Sequence, residues 1–178
     1  MNNTPLNLEN RAERETRVYE CLDRLGIDYF QVDHAPAMTM EDCVEVDRLL
    51  GVPMCKNLFL CNRQKTDFYL LMMPGEKPFR TKELSAQIGS ARLSFADADA
   101  MLEHLDILPG SVSVMGLMND KENRVRLLID EDLLGEEFVG CHPCVNTSSL
   151  RIATKDLLEV FLPHVHHVPS TVRLTGEA

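Results

Sequence analysis

Two short segments hold the groups that could do chemistry. One is Cys55-Lys56-Asn57-Leu58-Phe59-Leu60, a Lys-Asn pair at the mouth of an apolar, strand-like run. The other is Gly140-Cys141-His142-Pro143-Cys144-Val145-Asn146-Thr147-Ser148, a small-residue loop crowded with hydrogen-bonding groups around one histidine. Lys56 is either a solvated strand end or a cation held at a cleft, a compact point charge for a phosphate or carboxylate. Asn57 beside it donates and accepts at once. His142, between Gly140 and Pro143, is presented in a fixed direction, which suits a site better than a core.

The same loop carries a Cys-x-x-Cys, which opens a second chemistry. Cys141 and Cys144 could form a dithiol redox centre if a helix N-terminus depressed the first thiol's pKa. The motif lies late in the chain, however, and Val-Asn-Thr-Ser-Ser follows it in place of a helical pattern. A structural zinc site needs four ligands, and only Cys141, His142 and Cys144 cluster. His164, His166 and His167 fall in a segment that reads as a solvated end. No metal site is expected. Glycine-rich phosphate cradles, a Walker-type Lys and Gly-x-Ser-x-Gly are all absent from the sequence.

Helical periodicity predicts a first helix over 9–25, with Val18, Cys21, Leu22 and Leu25 on one face and Gly26 as the stop. Tyr29 to Val32 reads as a strand and His34-Ala35-Pro36 as a turn. Thr39-Met40-Glu41-Asp42 resembles a capping box opening a helix that Gly51 and Pro53 end. Two strands, 56–61 and 68–73, flank a polar turn. Helices follow over 81–88 and 97–105. Pro109-Gly110 precedes an apolar stretch, 112–118, and 125–129 is a strand. Phe138-Val139 leads into the histidine loop. A last helix has its core at 156–161, with Thr154 as its cap. This irregular interleaving predicts an α/β (α+β) fold, a mixed sheet with packed helices, in a single domain over 1–165. Residues 166–178 read as an irregular tail.

The chain has 178 residues, 44% apolar and 26% charged, which fits one soluble domain with a sizeable core. No apolar run approaches a membrane span, so no membrane partner is expected. Met1-Asn2-Asn3-Thr4-Pro5 lacks the features of a signal peptide, which makes a cytoplasmic location the default. Six cysteines in such a chain read as reduced thiols. A formal charge of −10 argues against a broad duplex-binding face. It leaves room for a protein that grips only the end of a nucleic acid.

Taken together, Lys56-Asn57-Leu58-Phe59-Leu60, Pro109-Gly110-Ser111-Val112-Ser113, Gly116-Leu117-Met118-Asn119-Asp120 and His142-Pro143 with Asn146-Thr147 resemble, in order and spacing, the YbaK/prolyl-tRNA synthetase-associated editing domain family. The likeness is to its freestanding, alanine-deacylating branch and runs from the first helix to about Leu162. It implies a compact α/β domain with a barrel-like mixed sheet, and hydrolysis of the ester joining a mischarged amino acid, alanine, to proline tRNA. By resemblance, Lys56 is the strongest functional residue, contacting the terminal nucleotide or the aminoacyl group. His142 joins it as a base or positioning donor. Asn57, Gly116, Gly140, Pro143, Asn146 and Thr147 bind substrate. No metal or organic cofactor is implied. The partner is the acceptor end of mischarged proline tRNA, with prolyl-tRNA synthetase as a possible second. Val114-Met115 stands where the family often has Pro-Phe, so Met115 is a candidate for the pocket wall. The rival readings are a non-catalytic module that binds aminoacyl-tRNA or an amino acid, and the dithiol redox protein.

Overall fold

Alternating burial and capping chemistry define the elements in a computed structural model that describes residues 6–177. The Met1–Pro5 segment discussed above lies outside the described residues. Helix α1 (Glu13–Arg24) buries Val18, Tyr19, Cys21 and Leu22, and Gly26 at φ 68° follows its end. It starts later than the periodicity predicts, because a turn at Glu9-Asn10 precedes it. Strand β1 (Tyr29–Asp33) leads through the His34 turn to α2 (Met40–Leu50). The capping box forms as read: Thr39 Oγ1 accepts from Asp42 N at 3.1 Å, and the Asp42 carboxylate accepts from Thr39 N at 3.0 Å. Gly51 at φ 80° closes that helix, a left-handed position that favours glycine.

Strands β2 (Lys56–Asn62) and β3 (Phe68–Met73) form a hairpin whose turn is held by Asn62 Oδ1, an acceptor for Thr66 N and Asp67 N. Next come α3 (Thr81–Ile88), the short β4 (Leu93–Phe95) and α4 (Ala98–Leu105) capped by Asp97. The apolar stretch at 112–118 is a loop running into a 3₁₀ turn, Val114–Asn119. After it lie β5 (Val125–Asp130), α5 (Glu131–Leu134), β6 (Phe138–Cys141) and β7 (Ser148–Ala153). The last helical segment, 154–164, is α6; its middle, Leu157–Phe161, is π-helical. Its N-cap is Ala153, not Thr154, whose buried Oγ1 has no hydrogen-bond partner.

The tail is not irregular throughout, as the sequence reading had it. Ser170–Val172 form β8, which pairs in parallel with β5. Nor is His167 solvated: it is buried, with Nε2 2.9 Å from Asp120 Oδ2 and Nδ1 2.7 Å from Val165 O. Val172 and Leu174 are buried as well, and two isolated apolar residues in a polar run carry little periodic signal.

The strands form two sheets. One is antiparallel, in the order β1-β7-β6; the other is mixed, in the order β4-β2-β3-β5-β8. They are not closed into a barrel. A parallel bridge between Met54 and Gly140 joins them, and Cys55 N donates to Gly140 O at 2.9 Å. Strand β3 is buried on both faces, which explains its unbroken Phe-Tyr-Leu-Leu-Met-Met. One face packs Phe59, Phe68, Leu70 and Met72 into the main core with α1 and the small sheet. The other packs Leu60, Leu71 and Met73 against Leu84 and Leu174. No helix among the described residues is long and apolar enough to cross a membrane.

Candidate active site

The seam between the sheets positions the chemistry. A cleft of about 300 Å³ opens there, lined by Cys55, Asn57, Leu58, Phe59, Phe95, Met101, Gly110, Val112 and His142. Its walls are mostly apolar, and Asn57 and His142 bring the strongly polar side chains.

His142 sits on the loop between β6 and β7. Ser113 Oγ donates to its carbonyl at 2.5 Å, fixing the loop against the 3₁₀ turn. The ring's Nδ1 lies 3.1 Å from Ser148 O. A carbonyl only accepts, so Nδ1 carries the hydrogen and Nε2 presents a lone pair. Burial holds the imidazole below its ordinary pKa; the Ser148 carbonyl opposes that shift and a charged His34 adds to it. His142 is therefore neutral at pH 7, with one ring nitrogen free to accept a proton.

Asn57 does structural work as well. Its Oδ1 accepts from Val114 N at 3.0 Å, satisfying the first amide of the 3₁₀ turn. Its backbone faces an open edge. Asn62 N bonds to Asp67 O, so the even-numbered residues of β2 turn toward β3. Phe59 O accepts from Ala96 N, and Cys55 N reaches Gly140 O, so the odd-numbered ones turn outward. Between those two ties no strand among the described residues meets the Asn57 amide.

Lys56 is not brought together with His142. Strand alternation sends it to the opposite face from Asn57, and Lys56 does not line the cleft. Its Nζ donates to Lys77 O at 2.6 Å, while Lys77 Nζ is held by Asp130 (2.6 Å), Asp132 (2.7 Å) and Leu174 O (2.7 Å). Gly116 is buried away from the cleft: a Cβ there would meet Ile107 Cδ1 at 2.5 Å and Leu105 Cβ at 3.2 Å. Gly140 likewise serves packing, because a Cβ would meet Leu50 Cδ2 at 2.9 Å and Pro53 O at 3.2 Å. Pro143 is buried in the loop. Asn146 and Thr147 line a second cavity of about 520 Å³, with Arg14, Arg17, Asp106 and Cys144. Met115 is fully buried in the core; Val112 and Met101 form the cleft wall instead.

The Cys-x-x-Cys lacks the geometry of a redox centre. Cys141 ends β6 and Cys144 sits at φ 64° in a loop that returns as β7, so neither thiol opens a helix of its own. Burial pushes Cys144 up to about 12 and Cys141 higher still, and both are free thiols. Among the described residues no group of three or more His, Cys, Asp or Glu side chains could hold a metal ion.

This architecture recurs in solved structures. One described as a candidate trans-editing enzyme for prolyl tRNA synthetase superposes with a TM-score of 0.68 at 17% identity, covering 93% of this chain and 99% of that one. The family model of the aminoacyl-tRNA editing domain matches residues 34–160. The chain belongs to the aminoacyl-tRNA editing domain family. It is an aminoacyl-tRNA hydrolase. Among relatives of this editing domain, the prolyl-tRNA editing protein ProX of Acetoanaerobium sticklandii is 32% identical over 139 residues, 78% of this chain and 85% of that protein. The prolyl-tRNA synthetase associated domain-containing protein 1 of Danio rerio is 33% identical over 153 residues, 84% of this chain and 82% of its own. The Mus musculus protein of the same name is 31% identical over 165 residues, covering 90% and 94%.

Three contributors carry no signal in the sequence. Phe95 and Met101 come from β4 and α4, and nothing in their spacing ties them to His142. His34, its ring centroid 6.4 Å from that of His142, was read only as part of a turn.

Proposed function

We propose that this editing domain removes alanine from mischarged proline tRNA, acting in trans on acceptor ends that prolyl-tRNA synthetase has charged wrongly. The observation that carries the reading is a neutral imidazole, with Nε2 unpartnered among the described residues, on the wall of a small apolar cleft. The names of the relatives, ProX and the prolyl-tRNA synthetase associated proteins, support the choice of tRNA.

An aminoacyl ester is already activated, so the enzyme has to position water and stabilise the developing oxyanion. His142 Nε2 takes a proton from water as the hydroxide oxygen bonds to the ester carbon. The outward Asn57 N–H is a fixed main-chain donor for the oxyanion. Collapse breaks the bond to the ribose oxygen, which recovers the proton from His142. The neighbouring ribose hydroxyl helps orient the water. Lys56 enters as a rim cation: β2 begins with it, and one ammonium donor is taken by Lys77 O, leaving two for a phosphate.

Selectivity rests on exclusion, since a methyl group contributes only about 1–3 kcal/mol in an apolar pocket. Val112 and Met101 are the walls that would exclude a larger side chain. The test is deacylation of alanine and proline esters of the same tRNA. Alanine should be released faster, and Val112→Ala should raise the relative rate on proline before total activity is lost. Equal rates on both esters in the native enzyme would show that the cleft is not a size sieve.

A further inference from the structure

We infer that Ser149 and His34 form a positioning chain behind His142, setting its basicity and linking it to the protein surface. This rests on the proposed role of His142 as the base in deacylation.

The chain is built where three elements meet. Ser149 is the second residue of β7, fully buried, and pairs with Val32 of β1. His34 follows the end of β1, and its backbone N donates to Thr147 O at 3.0 Å, which ties its turn to the His142 loop. His34 Nδ1 lies 2.8 Å from Ala35 O, and its Nε2 lies 2.8 Å from Ser149 Oγ. Ser149 Oγ in turn lies 3.5 Å from His142 Nδ1. The Ser148 hydroxyl cannot substitute, because Tyr19 Oη at 2.6 Å and Gln31 Nε2 at 2.9 Å engage it.

Donors and acceptors along this line admit one arrangement while both imidazoles are neutral. The Ala35 carbonyl only accepts, so His34 carries its hydrogen on Nδ1 and offers a lone pair at Nε2. Ser149 donates its hydroxyl hydrogen to that lone pair. The oxygen of Ser149 is then left facing His142 Nδ1–H, beside the Ser148 carbonyl. When His142 Nε2 takes the proton from water, the positive charge is shared with Nδ1–H, and two oxygens rather than one meet it. The 3.5 Å separation lies at the outer limit of a hydrogen bond, and such contacts shorten as charge develops. Protonation of His34 reverses the line: Nε2 becomes a donor to Ser149, and the Ser149 hydrogen turns toward a His142 nitrogen that already carries one.

The other titratable groups nearby do not duplicate this effect. Around His142 they are Cys55, Cys141 and Cys144, thiols that burial keeps protonated. Beside His34, Asp33 is paired with Arg11 at 2.7 and 2.8 Å, an ion pair fixed through the neutral range. Glu41 and Asp42 follow in the first turn of α2.

The experiment compares native enzyme, Ser149→Ala, His34→Gln and His142→Ala on alanine-charged proline tRNA across pH, alongside ¹⁵N imidazole NMR. Ser149→Ala should lower kcat about three- to tenfold, the range of one ordinary hydrogen bond, with KM unchanged. Its acid limb should move to lower pH, because His142 loses an acceptor that favours its charged form. His34→Gln should move the limb to higher pH, because the repelling charge is gone. A merely structural role would not split the two variants in opposite directions. NMR should find both His34 and His142 as Nδ1–H tautomers in the neutral enzyme. A hydrogen on Nε2 of either ring, or variants matching native kcat and pH limb while His142→Ala is inactive, would overturn the chain and leave the deacylase reading standing. An inactive native enzyme would sink the deacylase reading, and the tautomers would still decide the chain.

Discussion

Lys56 and His142 were the two residues that sequence and resemblance weighted most, and the structure separates them. Lys56→Ala should still reduce deacylation at least about tenfold, roughly 1.4 kcal/mol of transition-state stabilisation. Loss of a phosphate contact should also flatten the salt dependence of tRNA binding. Native rates and native salt dependence together would remove Lys56 from the mechanism and leave it as the tie to Lys77 O. At the histidine loop the contrast is between sulfur and imidazole. Cys141→Ser/Cys144→Ser should keep most of the activity, because both thiols are buried and protonated; His142→Ala should not. Essential cysteines beside a dispensable His142 would point to thiol chemistry and a thioester to be trapped. The placement of Lys56 was legible in principle, since a period of two sends adjacent strand residues to opposite faces. His34 was not: its partner Ser149 is 115 positions away, and neither residue carries a motif.

Strands made of unbroken apolar runs were readable, and those with buried polar faces were not. β2 and β3 read correctly because their side chains fill two cores. β7 did not, because Ser148 and Ser149 are buried polar residues satisfied by Tyr19, Gln31 and His34 rather than by water. The glycines that the resemblance gave to substrate prove to be close-packing points between elements. Gly140→Ala should therefore act through the seam. Its Cβ would press on Leu50, Pro53 and Val52 at 2.9–3.2 Å, costing about 1–3 kcal/mol by overpacking. Urea denaturation should show that loss, and kcat should fall with it because His142 lies two residues on. Unchanged stability would mean that α2 and the Pro53 loop yield freely.

Across the whole molecule, the segment after 165 is part of the architecture. His167 anchors it on Asp120, β8 extends the large sheet, and Leu174 O accepts from Lys77. Glu83 accepts from Thr175 N and Gly176 N at the far end. Removing residues 166–178 should cost several kcal/mol, since Val172 and Leu174 alone contribute about 1.5–3 kcal/mol each by burial. That is a large share of a typical total of about 5–15 kcal/mol. Thermal melting of the shortened chain should show a marked drop; an unchanged melting temperature would make the tail dispensable after all. The general class, a mixed sheet with packed helices, was legible because strand and helix periods alternate irregularly. The split into two sheets was not, because the joint is a single backbone bridge.

The one-residue gap in the outer edge of β2 has a consequence for isotope exchange. The amides of Cys55 and Ala96 are tied down on either side of it, so both should take up deuterium slowly. Asn57 N–H, turned outward between them, should exchange orders of magnitude faster than its neighbours. A non-hydrolysable alanyl-adenosine analogue that occupies the cleft should slow Asn57 selectively, leaving its neighbours as they were. A slow Asn57 amide in the free enzyme would mean that the gap is already filled, and the oxyanion would need another donor.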